Sequence, residues 1–376
     1  MKMRQIYKIA LTGGPCAGKT EALAYLKANL EKKGTAVFCL EEVATELMNE
    51  NLTPETMGNY AFHRLLFRKQ LYGEERLTGL AENVFAEKCV ILCDRGLMDS
   101  KAYVNEADFA HYTQENGWNE NKILCAYEAV FHLVTAADGA EVYYQSRNNL
   151  VRSEDIEAAR RIDNRLKAVW IGTPHLRIID NSTDFDGKLR RLLSETLAVV
   201  GIPAPLEIER KFLIIRPHSD LLQHMELCRC VPISQTYMET PDEGRFRIRK
   251  RGQGKDAVYV KTVKKKISEI CRIEVEERIT ESEYECYISQ KEYCSGTIVK
   301  ERYCIVWRNT YYELDLFPFW NKFALLEIEL LDEAQPYLLP DFVTVLREVT
   351  FEKEFRNKSL SIAYKEFFTS NHAKKF

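Results

Sequence analysis

Two prolines set one residue apart, in Gly201-Ile202-Pro203-Ala204-Pro205, divide the chain into stretches with different hydrophobic periods. Each proline removes a backbone donor and fixes φ, so neither a helix nor a central strand continues through the pair. Before it, short β-rich runs alternate with helical stretches. After it, many runs alternate every second residue, as in Arg245-Phe246-Arg247-Ile248-Arg249. The first half therefore reads as α/β with a doubly wound parallel sheet, and the second as mainly antiparallel β. Two domains follow, 1–202 and 206–376, and 376 residues are ample for two cores.

In the first half the pattern predicts strands at Tyr7–Thr12, Ala36–Leu40, Cys89–Cys93, Ala129–Val134 and Leu176–Ile179. Helices are expected at Lys19–Lys32, Thr53–Glu87 with a break near Gly73, Ser153–Trp170 and Asp186–Val200. A doubly wound sheet places ligands at the carboxyl ends of its strands.

One such end carries Gly13-Gly14-Pro15-Cys16-Ala17-Gly18-Lys19-Thr20, which fits GxxxxGK[ST] between a strand and a helix. Its glycines let backbone N–H groups turn onto an anion, and the helix N-terminus adds partial positive charge. Lys19 would reach the β/γ-phosphates of a nucleotide such as ATP, and the Thr20 hydroxyl would ligate Mg²⁺. Asp94, ending Val90-Ile91-Leu92-Cys93-Asp94, stands at a second strand end. It could hold magnesium through water, act as a base toward an acceptor hydroxyl, or only cap a helix or pair with Arg95. Glu41 and Glu42 could face an acceptor or start a solvated helix. Arg147, Arg152, Arg160 and Arg161 suit a lid over a transferring phosphoryl group, with Arg152 and Arg161 as candidate nucleotide contacts.

Together GGPCAGKT, LEEVATEL, VILCDRGLMDS, VFHLVTAADGA and the Arg-bearing helix resemble the small P-loop ATPase/kinase domain shared by NadR-type nicotinamide riboside kinases and the TRPL translocation defect protein. The resemblance spans about residues 5 to 200 and implies nucleotide binding, with phosphoryl transfer in only part of the family. No NKxD-type guanine-reading motif is present.

The second half opens on Glu207-Ile208-Glu209-Arg210-Lys211, which puts 207, 209 and 211 on one strand face. Glu327-Ile328-Glu329 repeats the acidic pattern. Arg245/Arg247/Arg249 and Lys300/Arg302 carry the opposite sign, Lys261 and Lys353 are expected in further strands, and Arg272/Glu274/Glu276 is mixed. A solvated sheet face also alternates, yet it tends to intersperse the signs rather than segregate them by strand. Two unit charges about 4 Å apart at an effective dielectric of ~20 repel by ~4 kcal/mol, roughly three pKa units. Converging carboxylates therefore need a cation, and an all-oxygen set points to Mg²⁺ or Mn²⁺. The basic strands then need an anion of comparable charge, which a triphosphate supplies.

ExExK opening a β-rich domain, with the basic strands, RxExE at 272–276, Glu313-Leu314-Asp315, the late ExE and the stretch from Val349 to Leu360, resembles the CYTH, or triphosphate tunnel metalloenzyme, superfamily over about 206–365. The resemblance implies an eight-stranded antiparallel tunnel. Glu207, Glu209, Glu327 and Glu329 then correspond to metal ligands, with Glu274, Glu276 and Asp315 as further candidates. Lys211, Arg245, Arg247, Arg249, Lys261, Arg272, Lys300, Arg302 and Lys353 correspond to the triphosphate cradle, Lys261 and Arg302 acting in catalysis. The family implies hydrolysis of a terminal phosphate on inorganic triphosphate, a nucleoside triphosphate or thiamine triphosphate. Some members are adenylate cyclases, and plant relatives that carry a kinase-like P-loop domain favour pyrophosphate. Lys264-Lys265-Lys266 departs from the pattern and reads as a solvated hairpin loop.

A net charge of -3 argues against nucleic acid as the main partner. No signal peptide and no apolar run near ~20 residues is found, so no membrane span is expected. Eleven scattered cysteines, with no CxxC pair, fit a reducing, cytoplasmic setting. Nucleotide and triphosphate are the expected small-molecule partners. A phospholipid head group in a non-hydrolysing tunnel is the alternative.

Overall fold

The computed structural model describes residues 5–144, 156–202, 208–266, 272–331 and 333–362; of these, the side chains of 264–266 and 272–275 are left out of the description. The chain forms two compact units, Met1–Ile202 and Pro203–Phe376.

In the first unit, five parallel strands are ordered β2-β3-β1-β4-β5. They are β1 (Gln5–Thr12), β2 (Ala36–Leu40), β3 (Lys88–Asp94), β4 (Ala129–Leu133) and β5 (Leu176–Ile179). Helices α1 (Lys19–Glu31), α2 (Val43–Asn49), α3 (Pro54–Met57), α4 (Asn59–Ala81), α5 (Glu106–Glu115), α6 (Glu120–Leu124), α7 (Ile156–Trp170) and α8 (Phe185–Val200) connect and cover them. Leu26 and Leu30 of α1 and Leu189 and Leu192 of α8 pack with Ile9, Leu11 and Phe131 on one side of the sheet. Leu77 and Ala81 of α4 pack with Cys89, Ile91 and Cys93 on the other. Each such buried leucine contributes about 1.5–3 kcal/mol.

The helix expected to break near Gly73 runs through it. A Cβ there would lie 2.8 Å from Leu40 Cδ1, so this glycine lets α4 approach β2. The break falls instead at Gly58, between α3 and α4, where φ is +82°. Helices α2, α5 and α6 were not foreseen; their lengths of 7, 10 and 5 residues give little room for a period to show.

The second unit is a nine-stranded sheet ordered β10-β9-β8-β7-β11-β12-β13-β6-β14. Its strands are β6 (Ile208–Ile215), β7 (Cys228–Thr240), β8 (Gly244–Arg251), β9 (Val258–Lys266), β10 (Arg272–Ile279), β11 (Cys294–Trp307), β12 (Thr310–Leu316), β13 (Phe323–Leu330) and β14 (Val345–Glu348). Every pairing is antiparallel. The family likeness implied eight strands. The ninth is β14, whose four residues carry no alternation and pair with β6 through a register shift.

Register sorts the side chains by face. Arg249 lies opposite Gln235, Gln235 opposite Ile298, Arg302 opposite Asp315, Glu313 opposite Glu327, and Glu327 opposite Lys211. These residues share one face. The other is apolar: Phe212, Ile214, Tyr303, Ile305, Leu314 and Leu326 cluster under Leu222 of α9 (Ser219–Gln223), and Phe246 and Ile248 under Tyr284 of α10 (Glu281–Ser289). The charged face is nonetheless buried at Gln235, Lys300, Arg302, Asp315 and Glu327, so the sheet curls around it into a tunnel. Lys211 on β6 and Tyr237 on β7 stand four strand positions apart, ~19 Å in a flat sheet. Lys211 still acts on the Tyr237 hydroxyl, across the curl. At one end the lining turns apolar, where Ile298, Phe317 and Leu325 pack with Val349 and Leu360.

Two sequence readings are corrected here. Lys353 lies in an exposed 3-10 turn (Lys353–Phe355), not in a strand. Positions 264–266 belong to β9, paired with 272–274, not to a hairpin loop. Among the described residues no helix is long and apolar enough to cross a membrane.

Candidate functional sites

The phosphate loop leaves β1 beside β4 and enters α1. Gly13 has φ +135° and a Cβ there would meet Leu133 O at 2.0 Å; Gly18, with φ +82°, lies under the Phe185 ring. Only glycine satisfies both positions. Asp163 of α7 ties the loop to the segment after β4: its Oδ1 accepts from Gly14 N (2.8 Å) and Thr135 N (3.1 Å). Desolvation would raise the Asp163 carboxyl, but His132 and Lys167 hold it far below its usual range. Thr135 Oγ1 donates to Pro15 O, and Arg95 Nη1 to Gly13 O at 2.9 Å.

Lys19 is buried and its Nζ donates to Gly13 O and Gly14 O, both at 3.2 Å. Thr20 is exposed at the start of α1. Asp94, at the end of β3, is 4% exposed, and its Oδ1 has no hydrogen-bond partner. Burial pushes its carboxyl up, Glu42 and Asp99 add to this, and Lys19 and Arg95 oppose it. An orphaned carboxylate oxygen near the phosphate-loop lysine is a seat for a cation or a proton.

Around this loop Arg152 lies outside the described residues, and Arg161 is exposed on α7. Asp163 and Lys188 were missed. Lys188 Nζ donates to Val134 O (2.6 Å) and Asn181 Oδ1 (2.8 Å), and burial draws its pKa down to about 8. Both sit in helices among other charged residues, where spacing cannot tell a buttress from a solvated face.

In the tunnel, Lys211 Nζ bridges Glu327 (2.8 Å) and Glu209 (3.0 Å). Arg302 reaches Asp315 through Nε and Nη2, both 2.7 Å, Glu327 at 3.0 Å, and Glu313 through Nη1. Lys300 pairs with Asp315. Glu329 lies opposite Glu209 across β13 and β6. Burial would raise Glu327, yet Lys211, Arg302 and Lys300 hold its carboxyl far below its usual range. Glu313 goes the other way. Burial raises it first, and Glu329, Glu327 and Asp315 raise it further against Arg302.

A second wall is basic. Arg247 pairs with Glu276 at 3.4 Å, and Glu276 accepts from Thr262 Oγ1 at 2.9 Å. Arg249 Nε donates to Gln235 Oε1 at 3.2 Å. Burial, then Arg247, Arg302 and Arg251, draw the Arg249 guanidinium down to about 10, with Glu276 opposing. A guanidinium so depressed is short of negative charge.

The fit to a divalent cation rests on donor chemistry and charge. Glu209, Glu313, Asp315, Glu327 and Glu329, five carboxylates, meet three cations, Lys211, Lys300 and Arg302, in this wall. Among the described residues, no three His, Cys, Asp or Glu side chains are gathered to hold a metal, because Lys211 and Arg302 stand between the carboxylates. Hard oxygen donors with surplus negative charge suit a hard divalent cation.

Other expected residues fall elsewhere. Lys261 lies opposite Ile248, hence on the apolar face, where it pairs with Glu243 and stands over the Phe246 and Tyr287 rings. It is not part of the charged lining. Arg245 is 75% exposed and pairs with Glu239, and Lys353 is exposed. Glu207 lies outside the described residues, as do the side chains of Arg272 and Glu274. Arg251 was missed, and Glu313, quoted above only within Glu313-Leu314-Asp315, was given no site role, although each extends a visible two-residue period, 245/247/249/251 and 313/315.

Residues 8–188 match the family model described as an AAA domain, and 205–355 match that of the CYTH domain. No curated protein matches the chain. The crystal structure of the inorganic triphosphatase NE1496 is 30% identical, covering 42% of this chain and 94% of its own, with a TM-score of 0.30. A conserved hypothetical protein from Pyrococcus furiosus is 24% identical over 32% of this chain and 78% of its own, with a TM-score of 0.25. With its phosphate loop in the first unit and its charge-lined tunnel in the second, the chain joins an AAA domain at 8–188 to a CYTH domain at 205–355.

Proposed function

We propose that the second unit is a metal-dependent triphosphatase and the first an ATP-binding, kinase-like domain. The observation that carries the first half of this reading is Arg249. Its guanidinium is held beside Arg247 and Arg251 with more positive charge than Glu276 offsets, facing carboxylates that are themselves in surplus. A triphosphate with a divalent cation satisfies both walls at once.

In this reading Arg247, Arg249 and Arg251 bind the phosphate chain, and Arg302 and Lys300 orient its terminal group toward the acidic wall. Glu209, Glu327 and Glu329, with Glu313 and Asp315 adjoining, would hold a Mg²⁺ or Mn²⁺ ion, which would supply positive charge at that phosphate and ease deprotonation of water. In the first unit Lys19 and the loop amides hold the nucleotide, Thr20 contributes to a magnesium site, and Asp94 receives a proton from an acceptor hydroxyl.

The test is phosphate release from inorganic triphosphate with Mg²⁺ or Mn²⁺. Glu327→Gln is expected to lower the rate by about a hundred-fold or more while ATP binding in the first unit persists. Triphosphate that binds the wild-type protein without turnover would sink the enzymatic reading, and full activity in Glu327→Gln would sink the assignment of the acidic wall.

A further inference from the structure

Beside the phosphate loop lies a cavity of about 210 Å³ that the steps above do not use. Val43, Met48, Phe62 and Leu66 make its walls apolar, and Pro15 of the loop lines it too. His63 also lines it, 5% exposed, and its buried Nδ1 has no hydrogen-bond partner. The ring is fixed by its neighbours. It stacks on Tyr103 with centroids 5.4 Å apart at 14°, and meets Phe62 edge-on at 5.2 Å. Leaving such a nitrogen unpaired costs about 1–3 kcal/mol, which a guest with a donor or acceptor removes.

Charge limits the guest. Among the described residues the guanidinium lining this space is that of Arg95, already engaged by Glu42 at 3.0 Å, Gly13 O at 2.9 Å and Asp99 at 4.0 Å. Burial draws the His63 ring down to about 4, so it is neutral near pH 7. With Glu42 and Asp99 both lining the space and no uncommitted cation there among the described residues, this lining disfavours a phosphorylated guest.

We propose that this cavity binds the phosphoryl acceptor of the first unit, a small uncharged molecule with a free hydroxyl, recognised through Nδ1 of His63. The proposal rests on the kinase-like reading of that unit. In the transfer the acceptor oxygen forms a bond to the γ-phosphorus, and the bond from that phosphorus to the bridging oxygen of ATP breaks. The electron pair leaves on ADP, and the hydroxyl proton passes to Asp94.

The test uses the full chain with uridine, pyridoxine and benzyl alcohol as neutral probes, and uridine monophosphate and pyridoxine phosphate as charged counterparts. Binding is read by ligand-detected NMR with a non-hydrolysable ATP analogue present, and transfer from labelled ATP is read separately. A neutral probe is expected to bind and the phosphorylated ones not. Ala44→Phe, which fills the cavity, and His63→Phe should each weaken binding about ten-fold or more, and His63→Gln should recover part of the loss. An unchanged affinity for the ATP analogue checks that the unit is folded. Failure of every neutral probe to bind, preference for the phosphorylated probes, or equal binding to Ala44→Phe overturns the proposal. Binding that Ala44→Phe removes, without transfer in the wild type, keeps the pocket and ends the kinase-like reading. Transfer that Ala44→Phe leaves intact does the reverse.

Discussion

The two sites handle phosphate with opposite materials. The loop at 13–20 is made of main chain: glycines at positive φ, a helix start and one lysine, all contiguous in sequence. The tunnel is made of side chains drawn from at least seven strands between Glu209 and Glu329, and its backbone is ordinary antiparallel ladder. A main-chain site depends on glycine geometry. A side-chain site depends on register, and on each buried charge keeping its counter-charge.

That contrast is open to test. The largest expected effect comes from the tunnel: Arg302→Met strips the buried Asp315 and Glu327 of their shared guanidinium. Removing one partner of such a network costs about 3–5 kcal/mol, and calorimetry should show the transition of the second unit falling while nucleotide binding survives. The matching change in the loop is Gly13→Ala. Its Cβ would lie 2.0 Å from Leu133 O at a φ hostile to side chains, a strain of about 3 kcal/mol that should abolish ATP binding by isothermal titration. Triphosphate hydrolysis should be untouched by it. A Gly13→Ala protein that binds ATP normally would mean the loop is not built by its backbone.

The same contrast explains what could be read from the sequence. A contiguous motif between a strand and a helix announces itself, and the loop was legible residue by residue. The tunnel was legible as a period of two with segregated sign, which gave its lining in outline. Period alone does not say which of two faces a strand joins to the lining. That is why Lys261, on a strand paired so that 248 opposes 261, was misassigned, while Arg251 and Glu313, which continue visible periods, were given no site role. The cavity at His63 was legible only at one edge, where LEEVATEL carries Glu42, Val43 and Ala44; its other walls come from α3 and α4, where His63 and Phe62 form no motif.

A pH series sharpens the comparison in the first unit. The folded pKa of His63 is about 4 against an ordinary 6.5, so between these values the unfolded chain binds a proton that the native ring refuses. Native stability therefore rises with pH across that window and is lost as pH falls through it, by about 3 kcal/mol at full extent. His63→Phe should flatten this slope in urea titrations at pH 4 to 7. An unchanged slope would place the acid sensitivity of the unit on another group.

The smallest effect expected is the most informative about register. Lys261→Met keeps the length of the side chain on the apolar face and loses an ion pair with a partly exposed Glu243 and a stacking contact with two rings. Those contacts contribute about 1 kcal/mol or less. Triphosphate hydrolysis should stay within about two-fold of wild type, whereas Arg249→Met, one strand over and on the lining face, should lose about ten-fold or more. If Lys261→Met were as damaging as Arg249→Met, the pairing of β8 with β9 would be out of step by one residue. Every side chain of β9 would then exchange faces, so the activity of one surface-priced substitution reports on the alignment of a whole strand.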